Sequence, residues 1–233
     1  RIIIAGDGVE ALQLVRSHVP DIIVSDVMMP RMNGYKLCKT IKEDINISHI
    51  PVILLTARDD RQSQISGYKN GADGYLSKPF EVEMLMELIR NRLKNREYTK
   101  KRYLNAGLIP TPEESTISLT DETFLIKLNS IIQENIENSN LGIQFICQEV
   151  GLGRSSLYNK LKALTGMGAN EYISKLRIEK AITLISGTDM PFSEIAEKTG
   201  FTTPSYFSTT FKQYTGETPS QYKERKKKGL TDQ

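Results

Sequence analysis

Hydrophobic positions along the first hundred residues fall into two alternating patterns. Short apolar runs lie at residues 1–5, 22–25, 52–55 and 74–77, the first three rich in β-branched side chains, as expected of strands buried on both faces of a parallel sheet. Between them lie stretches with helical spacing. Residues 9–18 place Ala11, Leu12 and Val15 on one face, and residues 35–42 turn Leu37, Ile41 and Cys38 inward. Residues 62–70 read as a helix closed by Gly71, and from Glu81 a helix carrying Leu85, Leu88, Ile89 and Leu93 runs on through the charged stretch 96–104. The alternation predicts a parallel sheet covered by helices. The charged extension reads as an exposed rod or as a dimer seam. Residues 105–119, with Gly107, Pro110 and Pro112, read as a linker.

Beyond residue 120 the pattern is helical throughout and repeats. Residues 144–151 (QFICQEVG) recur in pattern as residues 193–200 (SEIAEKTG), forty-nine positions on, and SLYNKLKALTG from Ser156 aligns with YFSTTFKQYTG from Tyr206. Each copy reads as a short helix, a glycine turn and a second helix, which is helix-turn-helix logic. Residues 170–186, with Tyr172, Ile173, Leu176 and Ile182 available for the core, predict a helix holding the two copies apart. By the same spacing Tyr206, Phe207, Phe211 and Tyr214 form a stripe that reads as core.

Chemistry enters where the runs end. The second run ends on Asp26, the third on Thr56 and the fourth on Lys78, so three strand ends offer a carboxylate, a hydroxyl and an ammonium to one pocket. Alone, Asp26 reads as a cap on the following turn. Together the three suit an aspartyl phosphate, in which the carboxylate attacks phosphorus while hydroxyl and ammonium meet the phosphoryl oxygens. A haloacid-dehalogenase-type phosphatase wants a second acid two residues on, where this chain has Met28.

The stretches SDVMMPRMNG, LLTA and LSKPF, in this order and spacing, resemble the receiver domain of two-component response regulators. The resemblance implies a flavodoxin-like α/β fold, with Asp26 as phosphoacceptor, Thr56 as switch hydroxyl, Lys78 as the phosphate-facing lysine and Tyr75 as the aromatic switch. It also implies Mg²⁺ held by Asp26, the Met28 carbonyl and an acidic pair at the end of the first strand. Residues 1–5 match that family's second strand, so the first strand, its helix and the acidic pair are missing here and Asp7 does not replace them. Poor Mg²⁺ binding and poor phosphorylation of this chain are the expectation, with the missing parts supplied upstream in a longer parent or the strand at residues 1–5 shifting inward to pair with residues 22–25.

GFTTPSYFSTTFKQYTGETPSQYK, residues 200–223, is similar to the signature of the AraC/XylS family of transcription regulators. That family's alignment puts Ser155, Asn159, Ser205 and Thr209 nearest base edges, with Ser156, Tyr158, Lys162, Thr203, Ser208 and Lys212 on the same faces. Asn159 suits a bidentate pair with adenine, while the hydroxyls read loosely or bind phosphate. The two resemblances together look like the cytosolic end of hybrid two-component proteins, whose signal is often a glycan fragment. They imply double-stranded DNA and a histidine kinase as partners, leave a homodimer open, and make the protein a phosphorylation-controlled transcription regulator rather than an enzyme. A pseudo-receiver or relay gated by ligand or protein contacts is the alternative. The expected division is a truncated receiver at 1–95, a helical extension and linker at 96–119, a DNA-binding domain at 120–225 and a basic tail at 226–233.

Composition adds constraints. Charged residues make up 25% of 233, with a net of only +3, and residues 121–233 carry 14 Lys and Arg against 13 Asp and Glu, so any basic face must come from arrangement. The run from Lys223 to Lys228 is the only basic cluster and reads as a solvated tail. Cys38 and Cys147 lie far apart, arguing against a disulfide framework and for a reducing cytoplasm. No apolar run approaches the ~18 residues of a membrane span, so no membrane contact is expected of this segment. His18 and His49, each beside a proline or one residue from it, read as helix-end or loop residues.

Overall fold

The structure, a computed structural model, describes residues 1–57, 71–105 and 118–231. It divides into two compact units: residues 1–125 with 159–166, and residues 126–158 with 167–233.

In the first unit the apolar runs become a parallel sheet of three strands in the order β1 (Ile23–Asp26), β2 (Val52–Ala57), β3 (Gly74–Lys78). Ile23 pairs with Val52 and Asp26 with Leu55, while Thr56 pairs with Ser77 and Ala57 with Lys78, so all three strands end at one edge. Helix α1 (Gly8–His18) starts on Asp7, whose carboxylate accepts the Val9 and Glu10 N–H groups at 2.8 and 3.1 Å. Helix α2 (Gly34–Glu43) buries Leu37, Cys38 and Ile41 against Ile23, Val52 and Leu54. That burial pushes the Cys38 thiol up to about 12, which keeps it an inert thiol. Helix α3 (Val82–Asn105) runs on from Leu85 through the charged stretch as a single element. Its Leu85, Leu88, Ile89 and Leu93 are half-buried.

Three expectations change. Residues 1–5 form no strand, and Ile2 and Ile4 are 88% and 84% exposed, because no strand among the described residues lies beside them to take up their backbone hydrogen bonds. The Lys223–Lys228 run is helical rather than an irregular tail, although its Arg225, Lys226 and Lys227 are exposed as expected. It belongs to a helix, Pro219–Thr231, in which Lys223 reaches the Thr188 carbonyl and Arg225 pairs with Glu217 at 2.7 Å. His49 lies in the turn after α2, a loop position as expected, yet it is buried there at 7% exposure, and its Nδ1 meets no partner among the described residues. The expected helix at 62–70 and most of the expected linker lie outside the described residues, although Gly71 has the positive φ of +75° expected of a helix cap.

His49 carries a stability consequence. Burial, reinforced by the charges of Lys160 and Arg96, pulls its pKa down to about 3, whereas the unfolded imidazole protonates near ~6.5. The folded state therefore holds fewer protons between these values. Its stability is fully present above ~6.5 and is lost as pH falls toward 3, by up to ~1.4 kcal/mol per pH unit. Urea midpoints measured from pH 7 to pH 5 should fall accordingly, and the decline should flatten in His49→Gln.

The second unit is helical. In chain order, α4 (Leu119–Glu134) leads into it, followed by α5 (Ile143–Val150), α6 (Arg154–Thr165), α7 (Ala169–Gly187), α8 (Phe192–Lys198), α9 (Pro204–Thr215) and α10 (Pro219–Thr231). Helix α6 enters the first unit at Asn159. The repeat appears as two helix-turn-helix pairs, α5–α6 and α8–α9, turned at Gly151 and Gly200 with φ of +76° and +71°. At Gly200 a second demand adds to the left-handed backbone: a Cβ there would lie 2.2 Å from the Ile136 carbonyl oxygen. Phe207 and Phe211 are fully buried in an aromatic chain, with ring centroids 5.3 Å from Phe201 to Phe207 and 5.6 Å from Phe211 to Tyr222. Tyr206 and Tyr214 depart from the expected stripe, being 52% and 38% exposed.

Candidate functional site

Asp26 ends β1 and Lys78 ends β3, and the parallel register carries them to the same edge. There the Lys78 ammonium pairs with Asp26 Oδ2, and the Met28 N–H donates to Oδ1 at 3.2 Å. Burial disfavours the charge on Asp26, but these donors outweigh it and hold the carboxyl below its usual range, leaving a carboxylate at neutral pH. Thr56, one residue past the partner of Asp26, is 1% exposed, and its hydroxyl has no partner among the described residues. Tyr75 lies in β3 and packs against the core. The sheet thus gathers carboxylate, ammonium and a buried hydroxyl at one edge.

The loop after Asp26 is held by backbone contacts that explain its composition. Gly34 N–H donates to the Val27 carbonyl at 3.0 Å, and a Cβ on Gly34 would lie 2.3 Å from the Asp26 carbonyl oxygen, so only glycine lets α2 start this close to the strand end. Arg31, with φ of +59°, reaches back to Asp7. That pair and the helix cap both engage the Asp7 carboxylate. Among the described residues no group of three or more acids, histidines or cysteines converges as a metal site. Asp26 and the Met28 carbonyl would hold Mg²⁺ with waters filling the remaining positions.

On the helix-turn-helix pairs, α6 exposes Ser155, Tyr158, Asn159 and Lys162 with Ser156 half-buried, and α9 exposes Thr203, Ser205, Thr209 and Lys212 with Ser208 half-buried. Thr203 also caps α9 by accepting the Tyr206 N–H at 3.2 Å. Leu157, Leu161 and Leu164 face inward on α6.

Sequence reasoning missed a buried cluster in the first unit. The Lys160 ammonium, fully buried, pairs with Asp121, donates to Ser48 Oγ at 2.8 Å and lies 5.1 Å over the Phe124 ring. Ser48 and Ser118 hydroxyls donate to the two Asp121 oxygens at 2.7 and 2.8 Å. Burial alone would raise the Asp121 pKa; the Lys160 charge and these donors hold it below the usual range. One signal was available. In the repeat Lys160 aligns with Thr210, which is also buried, and it lies between Leu157 and Leu164 on the inward stripe of α6.

Comparison with known proteins follows this geometry. Residues 1–90 match the family described as Response regulator receiver domain, and residues 146–225 the one described as Helix-turn-helix domain. Histidine kinase P4 of Formosa agariphila is 42% identical over 96% of this chain and 16% of that protein, so the chain spans a small part of that relative's length. Probable transcriptional regulator ycf29 of Pyropia yezoensis is 30% identical over 73% of this chain and 82% of that protein. Among solved structures, the C-terminal domain of AraT, a response regulator from Geobacillus stearothermophilus, aligns at 30% identity over 44% of this chain and 84% of that one, with a TM-score of 0.41. The chain belongs to the response regulators, joining a receiver domain to an AraC-type helix-turn-helix DNA-binding domain.

Proposed function

We propose that phosphorylation at Asp26, by a histidine kinase, controls how the two helix-turn-helix pairs engage DNA. The observation that carries the reading is the meeting of Asp26, Lys78 and the unpartnered Thr56 hydroxyl at one sheet edge. A phosphoryl oxygen would give Thr56 its hydrogen bond, and Tyr75 on β3 would follow. Helix α3 exposes Val82 and Met86, four residues apart on one face and suited to pairing two copies after phosphorylation. The similarity to Histidine kinase P4 supports a histidine kinase as the source of the phosphoryl group, and glycan-utilisation genes are the targets to try first.

On DNA, the two pairs would enter successive major-groove segments. Helix α7, with 19 residues, is ~28 Å long, close to the ~34 Å that separates such segments. Asn159 would read adenine, while Ser155, Ser156, Tyr158, Lys162, Thr203, Ser205, Ser208, Thr209 and Lys212 supply looser base contacts and phosphate contacts. Footprinting and quantitative binding test this. A protected site spanning two groove segments is the expected result. Asn159→Ala should cost ~1–3 kcal/mol at one base position, whereas Lys212→Ala should weaken all sequences alike and flatten the salt dependence. No binding to any promoter at low salt would instead favour a relay module.

A further inference from the structure

A cleft in the first unit has no part in the reading above. Its volume is about 80 Å³, several times the ~10–15 Å³ that one water requires, so it has room for a group of several heavy atoms. His49 and Arg92 line it, and both bring a buried nitrogen that meets no partner among the described residues: Nδ1 of His49, a side chain 93% buried by its 7% exposure, and Nε of Arg92. Unsatisfied buried nitrogens on two neighbouring elements are uncommon in a folded chain. Both can donate to the same small acceptor, the imidazole in its Nδ1–H tautomer.

The charges around the cleft decide what that acceptor is. Both acids that line it are already engaged by lysines, Asp73 by Lys42 at 2.8 Å and Asp121 by Lys160. Arg92 and Arg96 are left over. Among the described residues Arg96 donates to the Asp21 carbonyl at 3.1 Å, and burial holds its guanidinium below its ordinary range against the opposing charges of Asp21, Asp121, Glu97 and Asp73. His49, with Lys160, Arg96 and Lys42 acting on it against Asp121 alone, stays neutral, so it donates without adding charge. Three cations, Lys42, Arg92 and Arg96, thus line the cleft against two acids, Asp73 and Asp121, of which Asp121 is also paired from behind by Lys160. We propose that it binds a small oxyanion, of the size of one phosphate or carboxylate group, between the His49 imidazole and the Arg92 and Arg96 guanidiniums. A planar fork of donors beside a neutral imidazole suits tetrahedral or trigonal oxygens and offers nothing to a cation.

The test is calorimetric titration of the full chain with inorganic phosphate, in low-salt buffer free of other oxyanions, with acetate titrated in parallel. Saturable one-to-one binding of either anion is expected, the stronger of the two showing whether phosphate or carboxylate geometry fits. Arg92→Gln, on the half-buried face of α3, should weaken it at least tenfold, and so should His49→Gln. Nitrogen NMR should show the His49 Nδ1 resonance shifting with occupancy in the unaltered chain, which keeps the idea testable if His49→Gln does not fold. The proposal is overturned by an absence of saturable heat with both anions, or by binding that survives Arg92→Gln. It is equally overturned if Lys78→Ala or Lys212→Ala removes the binding instead, since the anion would then sit at the strand ends or on the DNA face.

Discussion

Replacing Asp121 with leucine should destabilise the first unit by ~3–5 kcal/mol, a large share of the ~5–15 kcal/mol that holds a domain together. The Lys160 ammonium is fully buried, and Asp121 is the only carboxylate bonded to it among the described residues. Without Asp121 the ammonium keeps a single neutral acceptor in Ser48 and must lose its proton or draw in water. The loss comes from stranding a charge, not from the value of the pair itself. The double variant Asp121→Leu with Lys160→Met should therefore recover most of the stability. Urea unfolding followed by circular dichroism checks both, and a single variant as stable as the parent would show that water already reaches the ammonium. The same pair predicts acid sensitivity. Because the Asp121 pKa is depressed on folding, its contribution is present above ~3.8 and is lost as pH falls through the folded value.

Asp26→Asn should abolish phosphoryl uptake from a small donor such as acetyl phosphate, an all-or-none change. In that transfer an Asp26 carboxylate oxygen forms a bond to phosphorus while the bond from phosphorus to the acetate oxygen breaks, and acetate leaves with the electron pair. Asparagine keeps the shape but lacks the anionic nucleophile that Lys78 and the Met28 N–H maintain. Intact mass reads the result directly. Two chains are compared, the present one and one extended upstream of Arg1, because among the described residues no group of three or more acids, histidines or cysteines converges to hold a metal. Slow uptake by the first, stoichiometric uptake by the second and none in either Asn variant are expected. Rapid stoichiometric uptake by the shorter chain would show that the acidic pair is dispensable. Phosphate gained by the Asn variants would place the acceptor elsewhere.

Much of this protein was legible in local pattern. Three apolar runs ending on Asp26, Thr56 and Lys78 announced both the parallel sheet and the edge where those side chains meet, since parallel strands of similar length bring their carboxyl ends together. The duplicated helix-glycine-helix pattern announced the two turns, whose Gly151 and Gly200 adopt the left-handed backbone that glycine permits. Periodicity also separated the exposed Asn159 and Lys162 from the inward Leu157 and Leu161.

Tertiary structure alone decided the rest, because a residue's partner is a property of distant chain. Residues 1–5 have the composition of a strand, yet a strand exists only where a neighbour accepts its hydrogen bonds. Lys160 has the composition of a surface lysine and becomes a core cation because Ser48 and Asp121, 112 and 39 residues away, meet it. His49 reads as a loop residue until the arginines of α3 and the buried Asp121 close around it. Hydrophobic spacing states which face of an element turns inward. Which charges it meets there depends on how the elements pack, and at short range in a low dielectric that meeting sets protonation, stability and the anion the cleft would take.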